Sequence, residues 1–242
     1  MAVAKQATVQ KNIDALAQNK VGRRTPIISL LFGAFSAIGI ALTIWMAFEY
    51  APLDAIQGEP QRIFYIHVPM AWIGMLAFGV LALAGIAYLF VRDERLDWLA
   101  RASAEIGVVF LSLGIIGGSL WGKPIWGAWW VWDPKLTACL ILWFMFIGYI
   151  MLRSYMGRTE ESARVGAVVG IIGVIDVPII YLSVLWWRGQ HPQPISSMPL
   201  ADALTFLVAV ISFTLLYCFL MIQVYQLQRL QASAERLRTI VM

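Results

Sequence analysis

The run Val68–Val91, VPMAWIGMLAFGVLALAGIAYLFV, holds 24 residues without one charged side chain. A helix rising about 1.5 Å per residue over that length crosses the roughly 30 Å hydrocarbon core of a bilayer. Five other runs read the same way: Ile27–Phe48, Ala104–Trp121, Leu136–Leu152, Val165–Trp187 and Ala203–Tyr225. The third and fourth runs are the shortest, and they flank the most unusual loop. Of the 242 residues 60% are apolar and only 13% charged, more apolar surface than a soluble domain can hide. No period-two alternation competes, and in lipid a helix satisfies its own backbone groups. The expected fold is an all-α integral membrane protein with six transmembrane helices.

The cations sort these helices into an orientation. The N-terminal tail carries Lys5, Lys11, Lys20, Arg23 and Arg24. The loops after spans two and four carry Arg92, Arg95, Arg101 and Arg153, Arg158, Arg164, and the C-terminal tail carries Arg229, Arg236 and Arg238. These are fourteen of the chain's eighteen Lys and Arg; the other three loops share Arg62, Lys123, Lys135 and Arg188. The split alternates with every span, so the positive-inside rule puts both termini in the cytoplasm. The expected organisation is a cytoplasmic tail over 1–26, a six-span domain over 27–225 and a cytoplasmic tail over 226–242, the last an amphipathic helix at the inner surface. The polar start and the long run behind it do not read as a cleavable signal. Cys139 and Cys218 both lie in apolar runs and no CxxC occurs, which argues against thiol-redox chemistry, a zinc site and covalent haem attachment. The net charge of +4 follows from topology and does not imply nucleic-acid binding.

This orientation sends Glu49–His67, Gly122–Lys135 and Arg188–Asp202 to the outer face of the membrane. The chain's two histidines, His67 and His191, both fall there. One interfacial histidine is ordinarily an amphipathic anchor. Two in one thin layer, 124 positions apart, can supply both axial ligands of a haem iron. Between spans three and four lies Trp121-Gly122-Lys123-Pro124-Ile125-Trp126-Gly127-Ala128-Trp129-Trp130-Val131-Trp132-Asp133-Pro134-Lys135, with five of the chain's eleven tryptophans within twelve residues. An aromatic belt spreads tryptophans over many helix ends and does not produce this density. The glycines and prolines read as ending any simple helix, and Gly122 and Gly127 as letting a flat ligand approach the backbone. Indole faces stack on planar π-systems, which by itself admits a porphyrin, a quinone or a sugar. With two imidazoles in the same layer, haem is the most economical ligand. Arg62, Lys123, Lys135 and Arg188 are then the cations available to its propionates, although each equally suits a headgroup anchor. Asp133 reads as shaping the loop, by capping span four, holding an indole N–H or pairing with Lys135. Asp176 is an intramembrane carboxyl and so a functional candidate. Beside Pro178, its preferred role is to satisfy the turn that the proline breaks.

The string Trp126-Gly127-Ala128-Trp129-Trp130-Val131-Trp132-Asp133 resembles the "WWD" signature of the haem-handling membrane proteins of cytochrome c biogenesis, and most closely the CcmC family of the bacterial multi-component maturation system. Tyr65-Ile66-His67-Val68-Pro69, Asp176-Val177-Pro178 and Trp186-Trp187 ahead of His191 are similar to that family in the same order, from Arg62 to His191. Pro134-Lys135 and the short Pro192-Gln193-Pro194 segment depart from its pattern. The resemblance implies haem b on the tryptophan loop (Trp121, Trp126, Gly127, Trp129, Trp130, Trp132, Asp133), with His67 and His191 on the iron. It implies a periplasmic haem chaperone that receives the haem, the ATPase and permease subunits of an ABC transporter, and a small single-span subunit. The chain itself then supplies positioning rather than acid–base catalysis. The rival readings are a haem lyase joining haem to apocytochrome c, which usually has more spans and histidines, and a haem-export permease, which needs a polar route through the spans. An electron-transfer cytochrome b usually carries its histidines within the helices.

Overall fold

The computed structural model describes residues 27–192 and 198–241. Expectations for the tail over 1–26, including Lys5, Lys11, Lys20, Arg23 and Arg24, and for Gln193 and Pro194, lie outside the described residues. Helix α1 spans Ile27–Trp45 and ends in a π-turn over Met46–Tyr50. A 3-10 turn over Glu59–Ile63 opens α2, Phe64–Val91. Then come α3 (Glu94–Trp126), α4 (Pro134–Met156), α5 (Glu160–Val174), α6 (Asp176–Trp186) and α7 (Leu200–Val241). Six of the resulting segments are long and apolar enough to cross a membrane: Ile27–Tyr50, Glu59–Val91, Glu94–Trp126, Pro134–Met156, Glu160–Trp186 and Leu200–Arg236.

Three boundaries differ from the sequence reading. The third span begins at Glu94 rather than Ala104 and runs on to Trp126, so Gly122 and Pro124 lie within it. A proline removes a single N–H, and membrane helices tolerate that where neighbours compensate. The true stop is Gly127, whose φ of +74° a side chain would strain; its N–H closes the last turn on the Lys123 carbonyl. The fifth span is two helices in line, interrupted at Ile175, three residues before Pro178. The tail expected as a separate surface helix over 226–242 is the unbroken continuation of α7, because no glycine or proline interrupts 200–241.

Small residues let the helices meet closely. An added Cβ at Gly114 of α3 would sit 3.2 Å from the Ala71 backbone of α2, and one at Gly74 of α2 would sit 2.9 Å from Leu111 Cβ of α3. This contact is the most extensive in the bundle; α1 lies against α7, α5 against α2, and α6 against α4. Ile73, Phe78, Leu81, Leu111, Leu142 and Phe146 form the core between them. Many outward side chains, among them Leu83, Phe90 and Phe144, are exposed and apolar, as suits a lipid-facing surface. One end of the bundle is tied by charge. Buried Arg153 of α4 meets Asp97 of α3 and the Ser162 carbonyl, and Asp97 also holds Arg101. Removing two ions from water is tolerated there because each finds further hydrogen bonds.

Candidate functional site

The opposite end of α3 carries the aromatic segment. His67 sits in the first turn of α2 against the close α2–α3 contact, where an added Cβ on Gly118 would lie 2.9 Å from its Cε1. Its Nδ1 lies 2.8 Å from the Gly114 carbonyl oxygen. A carbonyl only accepts, so Nδ1 carries the proton and Nε2 keeps its lone pair. Trp121 meets the imidazole edge-on at 5.8 Å and donates its indole N–H to Gln57 Oε1 at 2.9 Å. Trp121 thus packs beside His67 with its indole N–H held by Gln57.

His191 follows α6 in an irregular segment. Its Nδ1 lies 3.1 Å from the Pro192 carbonyl oxygen, which again leaves Nε2 unprotonated. Its backbone N–H donates to Asp133 Oδ2 at 3.2 Å. The other oxygen of Asp133 accepts from the backbone N–H of Lys135 (2.9 Å) and Leu136 (3.4 Å), capping α4. Of the roles open to Asp133, the structure realises the cap, and neither an indole contact nor an ion pair with Lys135. It adds a function the sequence did not suggest, that of tying the His191 segment to the start of α4. Gly189 completes this clamp, because an added Cβ would stand 2.0 Å from Asp133 Oδ2. Gly189 and the Gly114 carbonyl were missed by sequence reasoning. A glycine two positions before a histidine is the single cue, and it is weak.

The Lys135 ammonium acts electrostatically on both imidazoles, and His67 on His191, so these three groups share one neighbourhood. Burial lowers the His191 pKa to about 4, helped by the Lys135 charge, so the ring is neutral at physiological pH. The other three cations are placed differently. Arg62 is held by Glu59 and the Ala47 carbonyl and lies over the Phe48 ring. Lys123 donates to the Gly127 carbonyl at 3.0 Å and lies 5.8 Å from the Trp129 ring. Arg188 is exposed and forms no ion pair among the described residues.

The tryptophans divide likewise. Trp126 folds back over Gly122, its ring 2.9 Å from where a Cβ would stand, so Gly122 makes room for an indole of this chain rather than for a ligand. Gly127 has open space beside it. Trp129 and Trp132 are 57% and 76% exposed. Trp130 packs edge-on against Trp132 at 5.8 Å, and its buried Nε1–H has no hydrogen-bond partner among the described residues. Trp186 and Trp187, also exposed, stack edge-on at 5.7 Å. Asp176 lies deeper, at the α5–α6 interruption. Its buried Oδ2 has no partner among the described residues, so it does not repair the broken turn as expected. Its charge acts on Cys139, one turn along α4 from Lys135. Both cysteines are free and half-buried.

Six helices long and apolar enough to cross a membrane, with both histidines and a cluster of exposed indoles toward one end, define a multi-pass helical membrane protein. The comparisons narrow this class. A family model described as Heme exporter protein C (CcmC) matches residues 15–240. Heme exporter protein C of Bradyrhizobium diazoefficiens is 38% identical over 217 residues, 83% of this chain and 82% of that protein. Its namesake in Haemophilus influenzae is 32% identical over 223 residues, 89% and 88% of the two chains. That of Escherichia coli strain K12 is 39% identical over 148 residues, 61% and 60% of the two. The chain belongs to the CcmC, or Heme exporter protein C, family.

Proposed function

We propose that the protein binds haem b at the histidine end of the bundle, on the periplasmic side of the bacterial inner membrane, and presents it to a periplasmic haem chaperone for cytochrome c maturation. In this reading it works beside the ATPase and permease subunits of an ABC transporter and a small single-span subunit. The observation that carries the proposal is the matched state of the two histidines. Each ring has its Nδ1 engaged by a backbone carbonyl and its Nε2 without a partner among the described residues, and each feels the charge of Lys135. Such a carbonyl contact on the far nitrogen is what fixes the tautomer and raises the basicity of a metal-binding imidazole. The family name and the fourteen-to-four division of Lys and Arg support haem as cargo and the periplasm as its side.

His67 and His191 then take the iron. Trp129 and Trp132 stack on the porphyrin, Trp126 and Trp130 shape the platform beneath them, and the unpaired indole N–H of Trp130 is a donor for the ligand. Lys135 is the favoured propionate partner and Arg188 the next, since Arg62 is already committed to Glu59. Hand-over needs no acid or base from this chain, because its contribution is to hold the haem in place for the chaperone. The test is the absorption spectrum of the purified protein loaded with haemin, for wild type, His67→Ala and His191→Ala. A redox-sensitive bis-histidine spectrum in wild type that is lost in each variant is expected. Identical spectra and haem content in all three would remove the ligand assignment.

A further inference from the structure

The end of the bundle opposite the histidines holds a cavity of about 400 Å³ between the start of α3 and the later part of α7, lined by Glu94, Arg95, Trp98, Tyr225 and Arg229. The Trp98 and Tyr225 rings meet edge-on at 6.0 Å and form its inner wall. Helix α3 enters the bundle from this end and α7 leaves by it. On α3, Arg95 precedes Trp98 by about one turn; on α7, Arg229 follows Tyr225 by about one turn. Each helix thus presents an aromatic ring at the deeper level and a guanidinium one turn nearer the water. That is the order in which an interface receives them, amphipathic rings at headgroup depth and cations at the rim.

The charges at this cavity are unbalanced. Glu94, the one acid in its wall, is paired with Arg236 from the next turns of α7. Arg95 and Arg229 are exposed, and neither side chain forms an ion pair or hydrogen bond among the described residues. Two guanidinium groups therefore line one opening whose single carboxylate is already engaged by Arg236. A guanidinium matches phosphate oxygens through paired N–H donors. The indole N–H of Trp98 and the hydroxyl of Tyr225 make no hydrogen bond within the described residues either, so both remain as donors.

We propose that this cavity is a binding site for the phosphate of an anionic phospholipid headgroup, held between Arg95 and Arg229, with the acyl chains running down past Trp98 and Tyr225. A lipid is favoured over a free phosphate because the lining sets two aromatic rings beside the two guanidinium groups, on two helices long and apolar enough to cross a membrane. Such a headgroup fits the positive-inside orientation, since basic residues next to a span attract the anionic lipids of the inner surface. The proposal does not depend on the haem site at the other end.

The experiment is native mass spectrometry of the full-length protein released from non-ionic detergent and titrated with phosphatidylglycerol or phosphatidylcholine. Wild type is compared with the Arg95→Gln/Arg229→Gln double variant and with Arg164→Gln, a control at a cation already paired with Glu160 and outside the cavity lining. Wild type and the control are expected to hold one phosphatidylglycerol at least about tenfold more tightly than phosphatidylcholine, and the double variant to lose that preference. Matching thermal unfolding of all three proteins in detergent shows that the variants are folded, and Trp98→Leu provides a second variant with its charges intact, also expected to weaken retention. Equal phosphatidylglycerol retention by double variant and wild type overturns the proposal. So does displacement of the lipid by millimolar glycerol phosphate, which marks a free-phosphate site, or an acidic polypeptide occupying the cavity in place of lipid.

Discussion

Gly189→Ala isolates the tie between His191 and the rest of the site. The added Cβ would stand 2.0 Å from Asp133 Oδ2 and 2.9 Å from Asp133 Cγ, whereas ordinary contact starts at 3.4 Å, so the two segments must part by about 1.4 Å. Asp133 cannot easily retreat, because its other oxygen caps α4 through the Lys135 and Leu136 amides. The segment after α6 moves instead, and the 3.2 Å bond from His191 N–H to Asp133 Oδ2 is lost. A hydrogen bond to a charged group contributes about 1.5–3 kcal/mol, which corresponds to a fall in haem affinity of about ten- to a hundred-fold if His191 must be repositioned on binding. The assay is titration of purified protein with haemin, followed at the Soret band. Gly148→Ala, where an added Cβ meets nothing within 4 Å, is the neutral control. Asp133→Asn offers an independent route to the same loss, since either orientation of its amide forfeits the cap or the tie. If Gly189→Ala binds haem as tightly as the control, the tie is not what positions His191, and the reasoning fails.

Two further outcomes are expected. The His191 pKa is lowered to about 4 from an ordinary value near 6.5, so the neutral ring favours the native site at any pH above 6.5, and this contribution is lost as pH falls from 6.5 towards 4. In the haem-free protein the His191 ring should thus titrate near pH 4 by NMR, and Lys135→Met should move that titration upward by removing a nearby cation; titration near 6.5 in wild type would contradict the burial of the ring. At the other end, Arg153→Met strands Asp97 with Arg101 alone, and breaking such a buried pair costs about 3–5 kcal/mol, here near the lower figure because Arg101 remains. Thermal unfolding in detergent should show the drop, and the Asp97→Asn/Arg153→Met double variant should recover part of it; an unchanged transition in Arg153→Met would show that the network contributes no stability.

The long apolar runs and the tryptophan-rich segment were legible because both are written in contiguous residues. Bilayer thickness sets the length of a span, and eleven tryptophans cannot gather five into twelve positions unnoticed. The boundaries were less legible. Pro124 reads as a helix breaker in sequence, yet the helix passes through it to stop at Gly127, where positive φ is needed. The tail after Tyr225 looked separate because its hydropathy falls, but helix continuity depends on backbone hydrogen bonds rather than hydropathy, and nothing in 226–241 breaks them.

By itself, then, the sequence determined that this is a six-span helical membrane protein and which residue types could meet a metal-bearing planar ligand. Only the tertiary structure decided how those residues are used: that His67 turns its Nε2 free by giving Nδ1 to Gly114, that Asp133 reaches 58 residues along the chain to hold His191, and that Arg62 is already spent on Glu59. The reason is physical. Span length and composition are properties of neighbouring residues, whereas a hydrogen-bond partner across helices is fixed by how the helices pack, and no local pattern records that choice.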